Sequence, residues 1–118
     1  MITFYGYARC STCRNARKWL DARGIEHTFV DITADPPSAA TLGAILDSGD
    51  YAIGELFNRS GVQYRELGMK DRLPDMSREE ALETLAGNGK LVKRPIVTDG
   101  TRATVGFRED RFEAVWGS

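Results

Sequence analysis

The sequence predicts an α/β fold with a four-stranded mixed sheet. A βαβ segment at the start of the chain and a ββα segment at its end supply the strands, and a helical subdomain is inserted over about residues 37–90. Three observations carry this. Residues 2–32 read strand, helix, strand, about the length of a βαβ unit. The insert shows helical periodicity and no convincing strand. After Leu91, two β-rich runs flank Asp99-Gly100 and an amphipathic run follows them.

Taken in order, Ile2-Thr3-Phe4-Tyr5 is β-branched and aromatic and is expected to form a strand ended by Gly6. A helix follows from about Ser11 to Ala22, with Ala16, Trp19 and Leu20 at i, i+3 and i+4 as its buried face. Gly24 stands where a left-handed residue ends a helix. Ile25 to Ile32 alternates, placing Thr28, Val30 and Ile32 on one face and Phe29 on the other. In the insert, Ser38 can cap a helix that buries Leu42, Ile45 and Leu46, and Ile53, Leu56 and Phe57 suggest a short one. Asn58 to Pro74 is expected to be irregular, with one helical turn near Tyr64 to Leu67. Ser77-x-x-Glu80 has capping-box spacing and starts a helix with Ala81, Leu82, Leu85 and Ala86 inward, which Gly87-Asn88-Gly89 stops. Ile96-Val97-Thr98 and Thr101 to Phe107 form a hairpin on a tight Asp99-Gly100 turn. Glu109 and Asp110 open a last helix, where acids suit the dipole, with Phe112, Val115 and Trp116 buried.

Neither repeats nor a linker interrupt the 118 residues, so a single domain spanning 1–118 is expected. Sixteen Lys and Arg against seventeen Asp and Glu give no bulk charge for nucleic acid. The chain lacks an apolar run approaching the ~18–20 residues of a membrane span, and its start does not read as a signal peptide. A cytoplasmic monomer is the expectation.

Both cysteines fall in Arg9-Cys10-Ser11-Thr12-Cys13-Arg14, between the first strand and the first helix. Structural zinc takes four ligands, and two cysteines with the lone His27 fall short, so no metal is expected. At a helix N-cap, the Cys10 sulfur would face unpaired N–H groups and the positive end of the dipole. These lower a thiol pKa from about 8.5. Arg14, one turn on, adds positive charge. Cys13 lies inside the first turn, more buried and less acidic, as suits a resolving thiol. Trp19 and Trp116 read as core, His27 as remote from the cysteines, and Arg108-Glu109-Asp110-Arg111 as a solvated helix start.

A βαβ and a ββα sharing one sheet, with CxxC after the first strand, is the thioredoxin-like arrangement. The chain resembles the arsenate-reductase-like family, which includes the Spx/MgsR-type regulators. The resemblance runs from Ile2 to Trp116 and rests on several motifs. They are Cys-Ser-Thr-Cys-Arg-Asn-Ala at 10–16, Asp35-Pro36-Pro37-Ser38, Tyr64-Arg65-Glu66-Leu67, Leu91-Val92-Lys93-Arg94-Pro95-Ile96-Val97 and Val105-Gly106-Phe107-Arg108-Glu109-Asp110.

The resemblance implies a cis bond before Pro95, leaving backbone free to pair with an extended substrate. It also implies that Arg94 holds an oxyanion or the Cys10 thiolate through its fork of donors. Of the family's catalytic cysteine and oxyanion-binding arginines, Cys10, Arg14 and Arg94 match. Asn58, next to Arg59, stands where another arginine belongs, and a further one falls near Gly106, with Arg108 nearby. Cys13 occupies a serine-like position. The implied function is thiol–disulfide exchange: Cys10 attacks, Cys13 closes the disulfide, and glutathione, glutaredoxin or thioredoxin restores the dithiol, with no bound cofactor. The alternative is an Spx-type redox-sensing regulator that binds the C-terminal domain of the RNA polymerase α-subunit. Both need the same CxxC, so the residues leave the choice open.

Overall fold

A computed structural model describes residues 1–117. Four strands form one mixed sheet in the order β2-β1-β3-β4: β1 (Thr3–Gly6), β2 (Thr28–Asp31), β3 (Ile96–Thr98) and β4 (Ala103–Val105). β1 pairs parallel with β2 and antiparallel with β3, which pairs antiparallel with β4. The strands thus come from both ends of the chain, as expected.

Register places Phe29, Phe4, Val97 and Thr104 in one row across the sheet. That row shares a core with Ala16, Trp19 and Leu20 of α1 (Ser11–Ala22) and with Phe112 and Trp116 of α6 (Glu109–Trp116). Thr104 is buried and its hydroxyl accepts from the Trp116 indole N–H at 3.1 Å, so the row ends in a satisfied polar pair. Trp19 and Phe107 both meet Phe112 edge-on, with ring centroids 5.4 and 4.8 Å away.

The chain divides into two compact units, Met1–Asp31 with the segment from Arg94 onward, and Ile32–Lys93. The second holds α2 (Ala39–Asp47), α3 (Val62–Glu66), α4 (Met69–Arg72) and α5 (Arg78–Ala86), with short 3₁₀ turns at Ile53–Leu56, Leu73–Asp75 and Gly89–Leu91. Ser38 caps α2 by accepting from the Thr41 amide, and Ser77 with Glu80 forms the expected capping box of α5. Leu42 and Ile45 are buried, as are Ala81, Leu82 and Leu85. Arg78 bridges α5 to α2, donating to the Gly43 carbonyl at 3.1 Å and to Asp47 at 2.8 Å.

Four expectations need correction. β1 starts at Thr3, and Gly6 is its last paired residue, opposite Asp31, not a stop after Tyr5. β2 is shorter than residues 25–32: the Ile25 amide still closes the end of α1 by donating to the Leu20 carbonyl at 3.0 Å, and pairing with β1 begins only at Thr28. The hairpin turns through four residues, since Thr98 pairs with Ala103 and the Asp99 amide donates to the Arg102 carbonyl at 3.1 Å. Residues 58–74 hold two short helices, not one turn; Gly68, at φ +63°, breaks the run between α3 and α4. Among the described residues, no helix is long and apolar enough to cross a membrane.

Candidate functional site

The site is built where β1 hands the chain to α1. After Gly6, the chain turns through Tyr7 to Cys10, and the Cys10 amide donates to the Tyr7 carbonyl at 3.1 Å. This sets Cys10 in an extended conformation, φ −81° and ψ 119°, as the N-cap of α1. Its carbonyl accepts the first helical bond from Arg14, at 3.0 Å. Its sulfur accepts from the Cys13 amide at 3.4 Å, doing for an orphan helix donor what a serine oxygen does at other caps.

The two thiols differ sharply. Both are free; Cys10 is half-buried, whereas Cys13 is 1% exposed and belongs to the core with Phe4 and Ala16. Partial burial pushes the Cys10 thiol up. The Cys13 amide, the Cys13 thiol and the Arg94 guanidinium act against burial and together leave Cys10 below its ordinary value. Burial pushes Cys13 up to about 12, and the neighbouring Cys10 adds to this, although the Tyr7 backbone works the other way. One thiol is thus poised to ionise while its neighbour is held protonated.

Arg94 comes from the opposite end of the first unit, and its guanidinium, near Cys10, helps to lower the thiol. The Arg94–Pro95 bond is cis, and the Pro95 carbonyl accepts from the Gly106 amide at 2.8 Å. Arg14 is exposed on α1, and the cation acting on Cys10 is Arg94. Arg108 is exposed and paired with Asp110 at 2.9 Å. Asn58 and Arg59 belong to the other unit.

Two residues at this site were not singled out for it in the sequence. The Tyr7 ring lies 5.6 Å from the Arg94 guanidinium carbon, and Tyr7 backbone groups touch both cysteines. Gly6 leaves room for the Cys13 sulfur, which would stand 3.2 Å from a Cβ there. A glycine two residues before a turn is the only sequence signal for the second, and nothing local signals the first.

A half-buried cysteine capping the first helix of this sheet, with a buried cysteine one turn on, defines a thioredoxin-like dithiol domain. Residues 5–115 match the ArsC family, and the chain belongs to that family. Bacillus subtilis YusI is 47% identical over 115 residues, which is 98% of both chains. The global transcriptional regulator Spx 2 of Lactococcus lactis subsp. lactis is 29% identical over 114 residues, covering 97% of this chain and 85% of Spx 2. Among solved structures, a possible arsenate reductase from Streptococcus mutans UA159 superposes with a TM-score of 0.88 at 36% identity. That match covers 96% of this chain and 98% of the other.

Proposed function

We propose that the protein is a thiol–disulfide exchange protein in which Cys10 is the attacking thiol and Cys13 the resolving one. The observation that carries this reading is the asymmetry of the pair, a lowered thiol at the α1 cap and a buried one raised to about 12. The Cys10 thiolate attacks one sulfur of an oxidised substrate, forming a mixed disulfide and releasing the other sulfur as thiolate. The negative charge on Cys10 is then gone. One of the influences that keeps Cys13 protonated disappears with it. Cys13 gives up its proton, attacks the Cys10 sulfur and expels the second half of the substrate. Two electrons have passed to the substrate, and the Cys10–Cys13 disulfide remains. Two equivalents of glutathione, or the dithiol of glutaredoxin or thioredoxin, return it to the reduced pair. Arg94 stabilises the attacking thiolate, and the Arg94–Pro95 segment holds the substrate beside it. Arsenate is not the substrate we propose. In the unit that holds Cys10, Arg14 is not among the groups acting on the thiol and Arg108 is paired with Asp110.

The test is trapping. Offered a small disulfide, the Cys13→Ser variant should accumulate a mixed disulfide on Cys10. The wild type should pass through it to an internal disulfide two hydrogens lighter by intact mass, and Cys10→Ser should do neither. Adducts on Cys13, or a wild type that stops at the mixed disulfide, would overturn the assignment.

A second reading is supported by the likeness to Spx 2 along nearly the whole chain. There the same disulfide would switch binding to the C-terminal domain of the α-subunit of RNA polymerase. Oxidation-sensitive capture of that domain without catalytic turnover favours this reading, and turnover of a disulfide favours the first.

A further inference from the structure

We propose, resting on the reading of Cys10 as an attacking thiol, that the exposed face of α1 running away from Cys10 is a docking surface. Its occupant is an acidic segment of the protein whose cysteine exchanges with Cys10. Residues 9–23 carry five cations, Arg9, Arg14, Arg17, Lys18 and Arg23, against one acid, Asp21. The rest of the chain has eleven Lys and Arg against sixteen Asp and Glu. The positive charge of this nearly neutral chain is therefore concentrated along α1 and at the residue just before Cys10.

Two of the five are committed within the fold. Arg17 lies over the Phe29 ring at 4.6 Å and donates to His27 at 3.4 Å. Arg23 stacks on Trp19 at 3.8 Å and pairs with Glu113 at 3.3 Å. Arg9, Arg14 and Lys18 are exposed, and among the described residues no carboxylate pairs with them. Ser11, Arg14, Asn15 and Lys18 share one stripe of the helix. At the α-helical rise, Arg14 and Lys18 stand roughly 6 and 12 Å along the axis from Cys10.

A cavity of about 310 Å³ opens on the same stripe, lined by Asn15, Lys18, Trp19, Phe107 and Glu109. Trp19 and Phe107 give it apolar walls, with room for one large side chain. Glu109 is the single acid on its rim. A small disulfide contacts only the neighbourhood of Cys10 and needs neither Lys18 nor this cavity. A folded partner that presents acids and one apolar side chain beside its cysteine uses all of them. A nucleic acid would also answer the charge, but the excess of acids outside residues 9–23 opposes a long polyanion.

The test uses two synthetic peptides of equal length. Each has one cysteine as its pyridyl disulfide flanked by an apolar residue, with the other positions glutamate in one and lysine in the other. Attack by Cys10 releases thiopyridone, which is followed by its absorbance. At low salt the acidic peptide should react roughly ten-fold faster, and the preference should fade at high ionic strength. Lys18→Glu should slow the acidic peptide by about three-fold and leave the rate with neutral dipyridyl disulfide unchanged. Equal rates for the two peptides, or an acidic-peptide rate indifferent to Lys18→Glu, would overturn the docking surface. So would suppression of the acidic-peptide reaction by a short oligonucleotide well below the concentration at which free polyglutamate suppresses it. Failure of the underlying thiol reading looks different, because then dipyridyl disulfide itself would not react at Cys10.

Discussion

A Cβ on Gly6 would stand 2.6 Å from Cε1 of Phe4 and 3.2 Å from the Cys13 sulfur. Phe4 is fully buried and cannot yield freely. Gly6→Ala should therefore cost about 1–3 kcal/mol through overpacking, measured by denaturant unfolding of the reduced protein. Stability equal to wild type would mean the ring and the thiol move aside. Cys10 was legible as a candidate because its acidity follows from a local feature, a helix start. Tyr7 was not, because its ring meets a guanidinium from the far end of the chain. Arg94 could be named from its motif, but only the fold places it against the sulfur.

At the scale of elements, local signals were most readable where side chains satisfy helix ends. Ser38, Ser77 with Glu80, and Gly24 at φ +66° all stand where their residue types predict. The Asp99-Gly100 pair misled because Asp99 does more than turn. Its carboxylate accepts from the Arg102 and Thr101 amides at 2.7 and 2.9 Å and pairs with the Arg102 guanidinium at 3.0 Å, closing a four-residue loop. Led by the Arg102 amide, these donors lower its pKa from 3.8 to about 2. The folded state thus favours the ionised carboxylate. The resulting stability is fully present above the unfolded value near 4 and is lost as pH falls toward 2. Asp99→Ala should cost about 1 kcal/mol at neutral pH, allowing for solvent screening, with the difference from wild type shrinking below pH ~4. Denaturant titrations of both proteins at neutral and acid pH check this, and a pH-independent difference would contradict it. The second misreading, at Gly68, has a similar cause. One left-handed residue lets two short helices replace a single turn, and their short polar runs carry little periodicity.

Over the whole molecule, the sheet order matters most for function. β1 carries the thiols at its end and lies between β2 from its own half and β3 from the other. The strand order thereby brings the segment before β3, with Arg94 and Pro95, to the end of β1 where α1 begins. The four strands and their division between the chain ends were legible from periodicity. The direction of each effect on the thiols was legible too, whereas the extent of those effects depended on burial. Cys13 reads in the sequence as the more buried and less acidic thiol of the pair; the core packed around it raises it to about 12. The central claim is that Cys10 alone is held below the ordinary thiol range, in part by Arg94. Its most direct test is the pH dependence of alkylation by iodoacetamide, with each cysteine resolved by peptide mass. Cys10 should react with a midpoint below the ordinary ~8.5, rising in Arg94→Ala, while Cys13 stays unreactive through the same range. A Cys10 midpoint at or above that value, or one that Arg94→Ala leaves in place, would contradict the account.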